Sequence, residues 1–342
     1  MAIVLLVLAV LAGACGADDE ETAGSADGSA TGSATVVAVD EPATTGDEVA
    51  DEPAPAFPRD VEHALGVTTI AAEPVRIVAI DDGSAFATLL ALGITPVLVG
   101  LGGTVPDPAM VPWLAQAGAT DPDIEFIPGG ADLSVEAIAA ADPDLIVGWD
   151  AFGANPAFET IQGVAPYVGI PIAGWDEGLR IIGEATGREE RAAEVAAETQ
   201  SLLDGFADRV PAGAYDGSID VVYTFPGGDI FVWTSATAIG RVLDQAGLPS
   251  LPEAEDPSDV GRPISPEQLG MLEGDGVIVV DFSGMTLGLL EENPLWASLP
   301  AVEAGRVGVL TPLESIAAGY DSALGVAANL DALERVLNQM YG

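Results

Sequence analysis

The sequence predicts an α/β protein of two lobes, each with a central, mostly parallel sheet, and one long helix that joins the lobes. Three observations lead to this fold class. Short β-rich runs alternate with helical patterns from residue 59 onward, the second half of the chain repeats features of the first, and one long amphipathic pattern separates the halves. With 342 residues and 49% hydrophobic content, the chain can bury the cores of two globular units.

The first half alternates as expected of parallel strands that are connected by helices. β-rich runs occupy residues 75–80 (VRIVAI), 96–100 (PVLVG) and 144–148 (DLIVG), and a further apolar run ends at residue 172. Helical patterns cover 86–92 and 134–141. In folds of this kind, ligands bind at the loops that follow the carboxyl ends of the strands.

The second half echoes the first in the same order. Residues 89–94 (LLALGI) correspond to 243–248 (LDQAGL), and each segment is a helix end with Gly at its C-cap position. Ser134 precedes the run at 144, and Ser265 precedes the run at 275 (DGVIVV) at the same spacing, so that each Ser can cap a helix. Two related lobes are the economical interpretation, and chance similarity of short segments is the alternative.

A single long helix is predicted between the lobes, over residues 188–210. Its apolar residues fall at helical spacing: Val195, Leu202, Leu203, Phe206 and Val210. A helix of this length spans about 33 Å, roughly the width of a small domain. We therefore expect an N-terminal lobe over 59–187, a stiff bridging helix over 188–210 and a C-terminal lobe over 211–342, with little opening and closing between the lobes.

The first 14 residues are expected to be a signal peptide. They form an apolar run that is too short for an ordinary membrane-spanning helix and that ends in small residues. The segment LAGAC, residues 11–15, resembles a bacterial lipobox, which implies cleavage before Cys15 and lipidation of its thiol. A cleaved signal with an incidental Cys is the alternative. Because no Lys or Arg precedes the apolar run, the true start is expected to lie upstream of Met1 if the run is a signal.

Residues 15–58 are expected to be a flexible, acidic, lipid-anchored linker. The segment is rich in Gly, Ala, Ser, Thr, Asp, Glu and Pro and has almost no aromatic residues before Phe57. Such a composition cannot bury enough apolar surface to order itself. The linker would let the folded body reach away from a membrane.

The charge balance excludes nucleic acid as a partner. There are 54 acidic residues against ten basic ones, a formal net charge of -44, and every basic residue is Arg. Binding to phosphate needs clustered cations, which this chain does not offer. Adaptation to a saline habitat or a compositional bias of the genome explains the acidity as well as a functional role does.

The sequence favours a binding protein over an enzyme. Its one His, His63, precedes the first strand, and its only Cys lies in the lipobox, so neither a zinc site nor a Cys/His nucleophile can be assembled. The glycine pairs at 102–103, 129–130 and 227–228 belong to no complete phosphate-loop or dinucleotide motif. No catalytic residue, metal site or cofactor is predicted, and a secreted hydrolase is the alternative.

Taken in order, a series of stretches makes the chain from about residue 63 to 337 resemble the periplasmic binding proteins for ferric siderophores and cobalamin. The stretches are 63–70 (HALGVTTI), 74–78 (PVRIV), 92–97 (LGITPV), 134–138 (SVEAI) with 143–147 (PDLIV), 175–187, 264–269 (ISPEQL), and 293–296 (NPLW) through 305–307 (GRV). The resemblance implies two α/β lobes bridged by one helix, with a shallow ligand cleft between the lobes.

The resemblance also implies a function. It predicts a substrate-binding lipoprotein of an ABC importer that captures a ferric siderophore and delivers it to a permease and ATPase complex. Such a protein is a monomer, anchored by its lipid to the outer face of the cytoplasmic membrane. Cobalamin and haem are the alternative ligands of the same importer class, and a structural or adhesive surface protein is the alternative outside transport.

Two tryptophans are predicted to be aromatic walls of the cleft. Trp149 follows the run at 144–148, and Trp233 follows a β-rich run at 229–232, so each is expected to emerge at the end of a strand in its own lobe. Aromatic side chains bury much area at little entropic cost, which suits a large chelate or a planar ligand. Packing of either Trp within its own lobe is the alternative.

Four further residues are predicted at the cleft: Arg262, in a loop that faces the cleft in the resembled family, and, as weaker candidates, Asp82, Phe282 and Tyr320. The alternative for Arg262 is an ion pair with a nearby acid such as Asp259. An anionic tris-catecholate chelate would call for several cationic donors, and only Arg262 can be placed. This favours a neutral or cationic hydroxamate chelate, or a corrinoid.

Glu136 and Glu267 are predicted to dock the protein to its importer. Each lies two residues after the Ser of its half-repeat, which puts both in the first turn of a surface helix. In the resembled family, the Glu at this place in each lobe meets arginines of the two permease subunits. Favourable interaction with the helix dipole is the alternative role.

Overall fold

The computed structural model describes residues 57–81, 83–101, 107–108, 111–210, 215, 217–224, 229–256 and 259–342. These residues belong to one compact unit, Glu52–Gly342. The predicted signal peptide and most of the predicted linker lie outside the described residues, and so do Cys15 and Asp82.

The N-terminal lobe contains a five-stranded sheet in which every pair of neighbouring strands is parallel. The strand order is β5-β4-β3-β6-β7. A hairpin of β1 and β2 precedes the sheet and contacts its edge strand β7 through β1. The strands are β1 (Arg59–His63), β2 (Gly66–Ile70), β3 (Ile77–Ala79), β4 (Leu98–Leu101), β5 (Glu125–Pro128), β6 (Leu145–Trp149) and β7 (Tyr167–Ile170).

The helices of this lobe lie between the strands, as the alternating pattern predicted. They are α1 (Ser84–Ala91), α2 (Pro112–Leu114) with a π-helical turn over Ala115–Ala119, α3 (Val135–Ala140), α4 (Phe158–Gln162) and α5 (Trp175–Thr186). The Ser134 hydroxyl accepts from the backbone N–H of Ala137 at 3.1 Å, so this residue caps α3 as predicted.

One long helix, α6 (Glu189–Arg209), follows the first lobe. Its 21 residues span about 31 Å. The apolar side is buried, including Val195, Leu203 and Phe206, while Leu202 points outward and is 48% exposed. Helix α6 packs against α5 on one side and against the C-terminal helix on the other, so it is held along its length by both lobes.

The sheet of the C-terminal lobe is mixed. Its strands are β8 (Ile219–Thr224), β9 (Ile230–Trp233), β10 (Ser250–Leu251), β11 (Gly261–Ile264), β12 (Gly276–Val280) and β13 (Val307–Leu310). The order is β11-β9-β8-β12-β13, and β10 also pairs with β8. Strands β8, β10, β12 and β13 are parallel, whereas β9 runs antiparallel to β8 and β11 antiparallel to β9.

The helices of the second lobe are α7 (Ala238–Gln245), α8 (Thr286–Glu291), α9 (Pro300–Glu303), α10 (Pro312–Gly319) and α11 (Ala323–Tyr341). The predicted correspondence of helix ends is confirmed in detail. Gly93 and Gly247 have φ of 72° and 76°, and the next residues, Ile94 and Leu248, each donate 2.9 Å hydrogen bonds back to the carbonyl five residues earlier. Both α1 and α7 therefore end in the same glycine-dependent motif.

The two lobes share one hydrophobic core. A single cluster of buried residues contains Val147 from the first sheet, Val221 and Ile278 from the second, Phe206 of α6 and Leu333 of α11. Helix α11 contacts α1, α2 and α5 of the N-terminal lobe as well as α6, α7 and α10. The boundary between the lobes is thus crossed by packed side chains in addition to the bridging helix. The two-lobed α/β fold predicted from the sequence is confirmed.

Candidate ligand-binding site

The N-terminal lobe contributes an aromatic wall at the carboxyl edge of its sheet. Trp149 ends β6, is half-buried, and lines a cavity of about 320 Å³ together with Ile80, Asp81 and Phe152. The Tyr167 hydroxyl donates to the carbonyl oxygen of Trp149 at 2.7 Å and fixes the backbone there. Burial raises the pKa of Tyr167 well above its usual value, so this hydroxyl stays a donor.

Asp81 organises the loop beside this cavity. Its buried carboxylate accepts hydrogen bonds from the backbone N–H groups of Gly83 and Ala85, both at 2.7 Å, and thereby satisfies donors at the start of α1. The acidic group at this strand end is therefore engaged by the protein itself. The neighbouring candidate, Asp82, lies outside the described residues and remains a prediction.

The C-terminal lobe contributes a cluster of four half-buried aromatic rings, which are Tyr223, Phe231, Trp233 and Phe282. Tyr223 stacks on Phe231 with centroids 5.0 Å apart, and it meets Trp233 and Phe282 edge-on at 5.5 and 5.7 Å. Phe282 in turn lies 6.2 Å from Trp233. These are the offset and edge-to-face geometries that aromatic rings prefer. Trp233 and Phe282, predicted separately, thus lie in one cluster, where Trp233 also packs against its own lobe.

Trp233 does not occupy a place equivalent to Trp149. Because β9 is antiparallel to β8, Trp233 pairs with Val221, in the middle of β8, and does not lie at the carboxyl edge of the parallel strands. The reason is the short connection between β8 and β9, which permits an antiparallel pair but no crossover helix. The glycine pair at 227–228 between two β-rich runs is a hairpin signal that indicates this reversal. Phe231 and Trp233 are two residues apart and therefore lie on the same face of β9. In a hairpin, Tyr223 of β8 pairs with Phe231 and lies on that face too, so all three rings could have been predicted to be neighbours.

The aromatic cluster borders the boundary between the lobes. A Cβ at Gly319, the last residue of α10, would lie 3.3 Å from Phe282 Cζ and 3.8 Å from Trp233 Cη2. The next residue, Tyr320, is only 6% exposed and meets Trp113 of the first lobe edge-on at 5.7 Å. Tyr320 is therefore a buried contact between the lobes, and its contact with a ligand stays a prediction.

An ion pair of the C-terminal lobe, between Arg241 and the buried Asp321, is hydrogen-bonded to the N-terminal lobe and stabilises this boundary. Arg241 of α7 donates to both carboxylate oxygens of Asp321 at 2.6 and 2.7 Å, and Asp321 also accepts from the backbone N–H of Gly174, in the N-terminal lobe, at 2.7 Å. The Asp321 side chain is 7% exposed and that of Arg241 31%. A cavity of about 400 Å³ opens beside this pair, and both lobes line it, the first through Ala173 and the second through Ser235. No sequence pattern predicts this pair, because its members lie 80 residues apart.

Arg262 lies on strand β11 and not in a loop. Its guanidinium pairs with Asp259 at 2.7 Å and reaches Glu255 at 3.4 Å, so the ion pair that was the alternative to a ligand contact is the arrangement observed. The residue lines a cavity of about 280 Å³ whose described walls all come from the C-terminal lobe. These contacts favour a structural role for Arg262. Its guanidinium is already paired with two carboxylates, and it lies on an edge strand, so it is poorly placed to bind a ligand at the lobe boundary.

All ten arginines of the chain lie among the described residues, and each is engaged. Two do so without an ion pair: Arg76 donates to the carbonyls of Ala141 and Asp142, and Arg306 lies over the Tyr341 ring at 5.0 Å. Ion pairs with acidic side chains engage the rest, which are Arg59, Arg180, Arg188, Arg191, Arg209, Arg241, Arg262 and Arg335. With no Lys in the sequence, the aromatic walls have no uncommitted cation beside them in the described part of the chain.

The two predicted docking carboxylates are exposed, as that role requires. Glu136 lies in the first turn of α3, and Glu267 lies in the first turn of a 3-10 helix, Pro266–Met271, where an α-helix was expected. Hydrogen bonds from its own backbone N–H and from Ser265 hold the pKa of Glu267 below its usual value. Glu267 also borders a cavity of about 600 Å³, which Ile230 and Leu290 line as well.

The described part of the chain shows neither a metal centre nor a membrane-spanning helix. No group of three or more His, Cys, Asp and Glu side chains there is arranged to hold a metal ion. Within the same residues, no helix combines the length and the apolar character needed to cross a bilayer.

Two α/β lobes on a shared core, with aromatic rings at their boundary, define a solute-binding protein. The chain belongs to the periplasmic binding protein family, whose model matches residues 77–313. The prediction that it is a binding protein and not an enzyme is confirmed by this membership.

Relatives and a solved structure agree with the assignment. The chain is 28% identical over 298 residues to the ferric enterobactin-binding periplasmic protein FepB of Escherichia coli O6:H1, covering 81% of this chain and 91% of FepB. It is 26% identical over 193 residues to the iron(3+)-hydroxamate-binding protein FhuD of Bacillus subtilis, covering 54% of this chain and 60% of FhuD. PiaA of Streptococcus pneumoniae in complex with ferrichrome shares the fold, with a TM-score of 0.67 and 21% identity, covering 82% of this chain and 99% of PiaA.

Proposed function

We propose that this protein captures a ferric siderophore outside the cell and delivers it to the permease and ATPase of an ABC importer. The observation that carries the proposal is the pair of aromatic walls, Trp149 with Phe152 in one lobe and the Tyr223 cluster in the other, on either side of the lobe boundary. Aromatic walls suit a bulky chelate. The relatives named for ferric enterobactin and for iron(3+)-hydroxamate support iron chelates as the ligand class.

A hydroxamate chelate suits this site better than a catecholate. A ferric tris-catecholate is an anion, and strong binding of anions relies on charge-assisted hydrogen bonds from cations. Every arginine is already engaged elsewhere in the protein, and the chain carries 54 acidic residues that repel an anion. A neutral or cationic chelate avoids both costs. The 28% identity to a ferric enterobactin-binding protein makes the catecholate the natural competitor in any test.

The test compares ligands and truncates the walls. Ferrichrome is expected to bind more tightly than ferric enterobactin, with cobalamin and haem as further probes, in titrations followed by calorimetry. Trp149→Ala and Trp233→Ala are each expected to weaken ferrichrome binding by about 1 to 3 kcal/mol if the ring is a buried anchor. Leu202→Ala, at an exposed position of α6, is the control and should leave affinity unchanged. Equal affinities in all three variants would place the binding site elsewhere.

We further propose that the mature protein is a monomeric lipoprotein, anchored through Cys15 to the outer face of the cytoplasmic membrane. The lipobox-like segment 11–15 and the acidic, aromatic-poor segment that follows it support this location. In a bacterial host, Cys15→Ser is expected to abolish incorporation of labelled palmitate and to move the protein from the membrane fraction to the medium. Equal labelling of the Ser variant would exclude the lipid anchor.

A further inference from the structure

Two tryptophans of the N-terminal lobe bury an indole N–H group without an acceptor. The Nε1 atoms of Trp113 and Trp149 each expose less than 1 Å² and have no hydrogen-bond partner among the described residues. Native proteins pair nearly all of their buried polar groups, because a buried donor that has lost water and gained no acceptor destabilises the fold. Arg59 Nε is a third such donor in this lobe, but its guanidinium is engaged through Nη1, whereas the indole N–H is the only polar group of each Trp side chain.

Both indoles lie along the same margin of the lobe boundary. Trp149 lines the cavity that Asp81 also lines, and the Asp81 carboxylate holds the backbone of Gly83 at 2.7 Å. A Cβ at Gly83 would lie 3.1 Å from Tyr320 Cδ1, and Tyr320 meets Trp113 edge-on. A continuous series of contacts thus connects the two unpaired donors across the end of strand β3. Tyr320, which contacts Trp113, directly follows Gly319, which lies beside the aromatic cluster of the second lobe.

The protein pairs the polar groups next to the Trp149 nitrogen but not the nitrogen itself. The carbonyl of Trp149 accepts from the Tyr167 hydroxyl at 2.7 Å, and the Asp81 carboxylate is satisfied by two backbone N–H groups. The indole N–H is an uncharged group that can only donate. An oxygen atom brought by a ligand is therefore the kind of partner that would complete this margin.

We propose that the N–H groups of Trp113 and Trp149 are donors to uncharged oxygen atoms of the chelate, and that they make the site selective for neutral over anionic ligands. This assignment rests on the proposed function. It adds the residues that distinguish a neutral chelate from an anionic one. Neutral donors gain little from a negative acceptor compared with a guanidinium, and every guanidinium of the chain is engaged. Trp113 in particular joins the site from a segment that no sequence pattern had marked.

The test removes each N–H while keeping an aromatic ring. Trp113→Phe and Trp149→Phe are each expected to weaken ferrichrome binding about three- to tenfold, the effect of one hydrogen bond, and the double variant more than either. In the same variants, affinity for ferric enterobactin should change less. The ratio of ferrichrome affinity to ferric enterobactin affinity should therefore decrease. Trp296→Phe, in the separate core of the C-terminal lobe, is the matched control and should bind like the wild type.

Stability provides the readout that separates ligand recognition from packing. Both Trp113→Phe and the control Trp296→Phe lose ring contacts, so the two are compared: because Trp113→Phe also removes a buried, unpaired donor, its melting temperature should fall less than that of Trp296→Phe. If the N–H instead interacts with the face of the Tyr320 ring, the melting temperature should fall at least as much as that of Trp296→Phe and ferrichrome affinity should stay the same, which would overturn the proposal. Indole ¹⁵N spectra with the gallium(III) form of ferrichrome should show the Trp113 and Trp149 proton signals moving downfield, and unmoved signals would also overturn it. Wild-type protein that binds none of the chelates would instead refute the proposed function itself.

Discussion

Replacing Glu136 and Glu267 together with arginine is expected to reduce ferric chelate uptake by about tenfold or more, because we propose that both carboxylates face arginines of the importer, and reversing them would place like charges across that interface. The two carboxylates are exposed and lie in the first turns of equivalent helices, one in each lobe. Individually, exposed ion pairs contribute little, yet two at corresponding positions can fix the orientation of a docked complex. Uptake would be measured in vesicles that contain the cognate permease and ATPase.

The control for this experiment reverses the same number of charges elsewhere. Asp123 precedes β5 and Glu303 ends α9 before β13, so both exposed side chains lie toward the amino edges of the parallel strands. Asp123→Arg with Glu303→Arg is expected to leave uptake near the wild-type level. Ferrichrome affinity and melting temperature should be similar in both double variants. If the folded Glu136→Arg, Glu267→Arg protein supports normal uptake, these residues do not dock the importer, and their role is a favourable interaction with the helix dipole.

Asp321→Ala is expected to lower the free energy of unfolding by about 3 kcal/mol, since removing one partner of a buried ion pair leaves the other uncompensated. The Arg241 guanidinium and the Gly174 N–H would both lose their acceptor. Because the Arg241 side chain is 31% exposed, water can partly replace the carboxylate, which places the effect at the lower end of the range for such pairs. Urea denaturation gives the free energy directly.

An exposed ion pair provides the comparison. Arg191 and Glu194 are 3.0 Å apart on the outer face of α6, with side chains 41% and 57% exposed. Glu194→Ala should change the free energy of unfolding by less than about 0.5 kcal/mol. If Asp321→Ala changed the free energy of unfolding by an equally small amount, Asp321 would not stabilise the contact between the lobes. A double-mutant cycle with Arg241→Ala would isolate the coupling between the two charges.

The fold was predictable because its signals are local. The Schellman-type ends at Gly93 and Gly247, the cap at Ser134 and the apolar periodicity of α6 each depend on residues within one or two turns. The reversal of β9 was missed although the glycine pair at 227–228 indicates it, because a β-rich run between helical patterns is equally compatible with a parallel strand.

The site was harder to predict because it depends on contacts that are distant in sequence. Trp149 was recognisable from its position at a strand end, and the ion pair of Arg262 with Asp259 could be anticipated from proximity. Arg241 and Asp321 are 80 residues apart, and Trp113 and Tyr320 meet across the lobe boundary. Neither pair follows a spacing rule, so only the packed fold brings these residues together.

The shared hydrophobic core makes separation of the two lobes energetically costly. Swinging the lobes apart would expose apolar surface between the two sheets, α6 and α11, and each 100 Å² exposed costs about 2.5 kcal/mol. Thermal fluctuation therefore rarely opens the molecule, and capture of a chelate proceeds on a nearly preformed surface. We therefore propose that a docked importer releases the chelate by moving the loops along the carboxyl edges of the strands, with energy drawn from ATP, while the two lobes stay together.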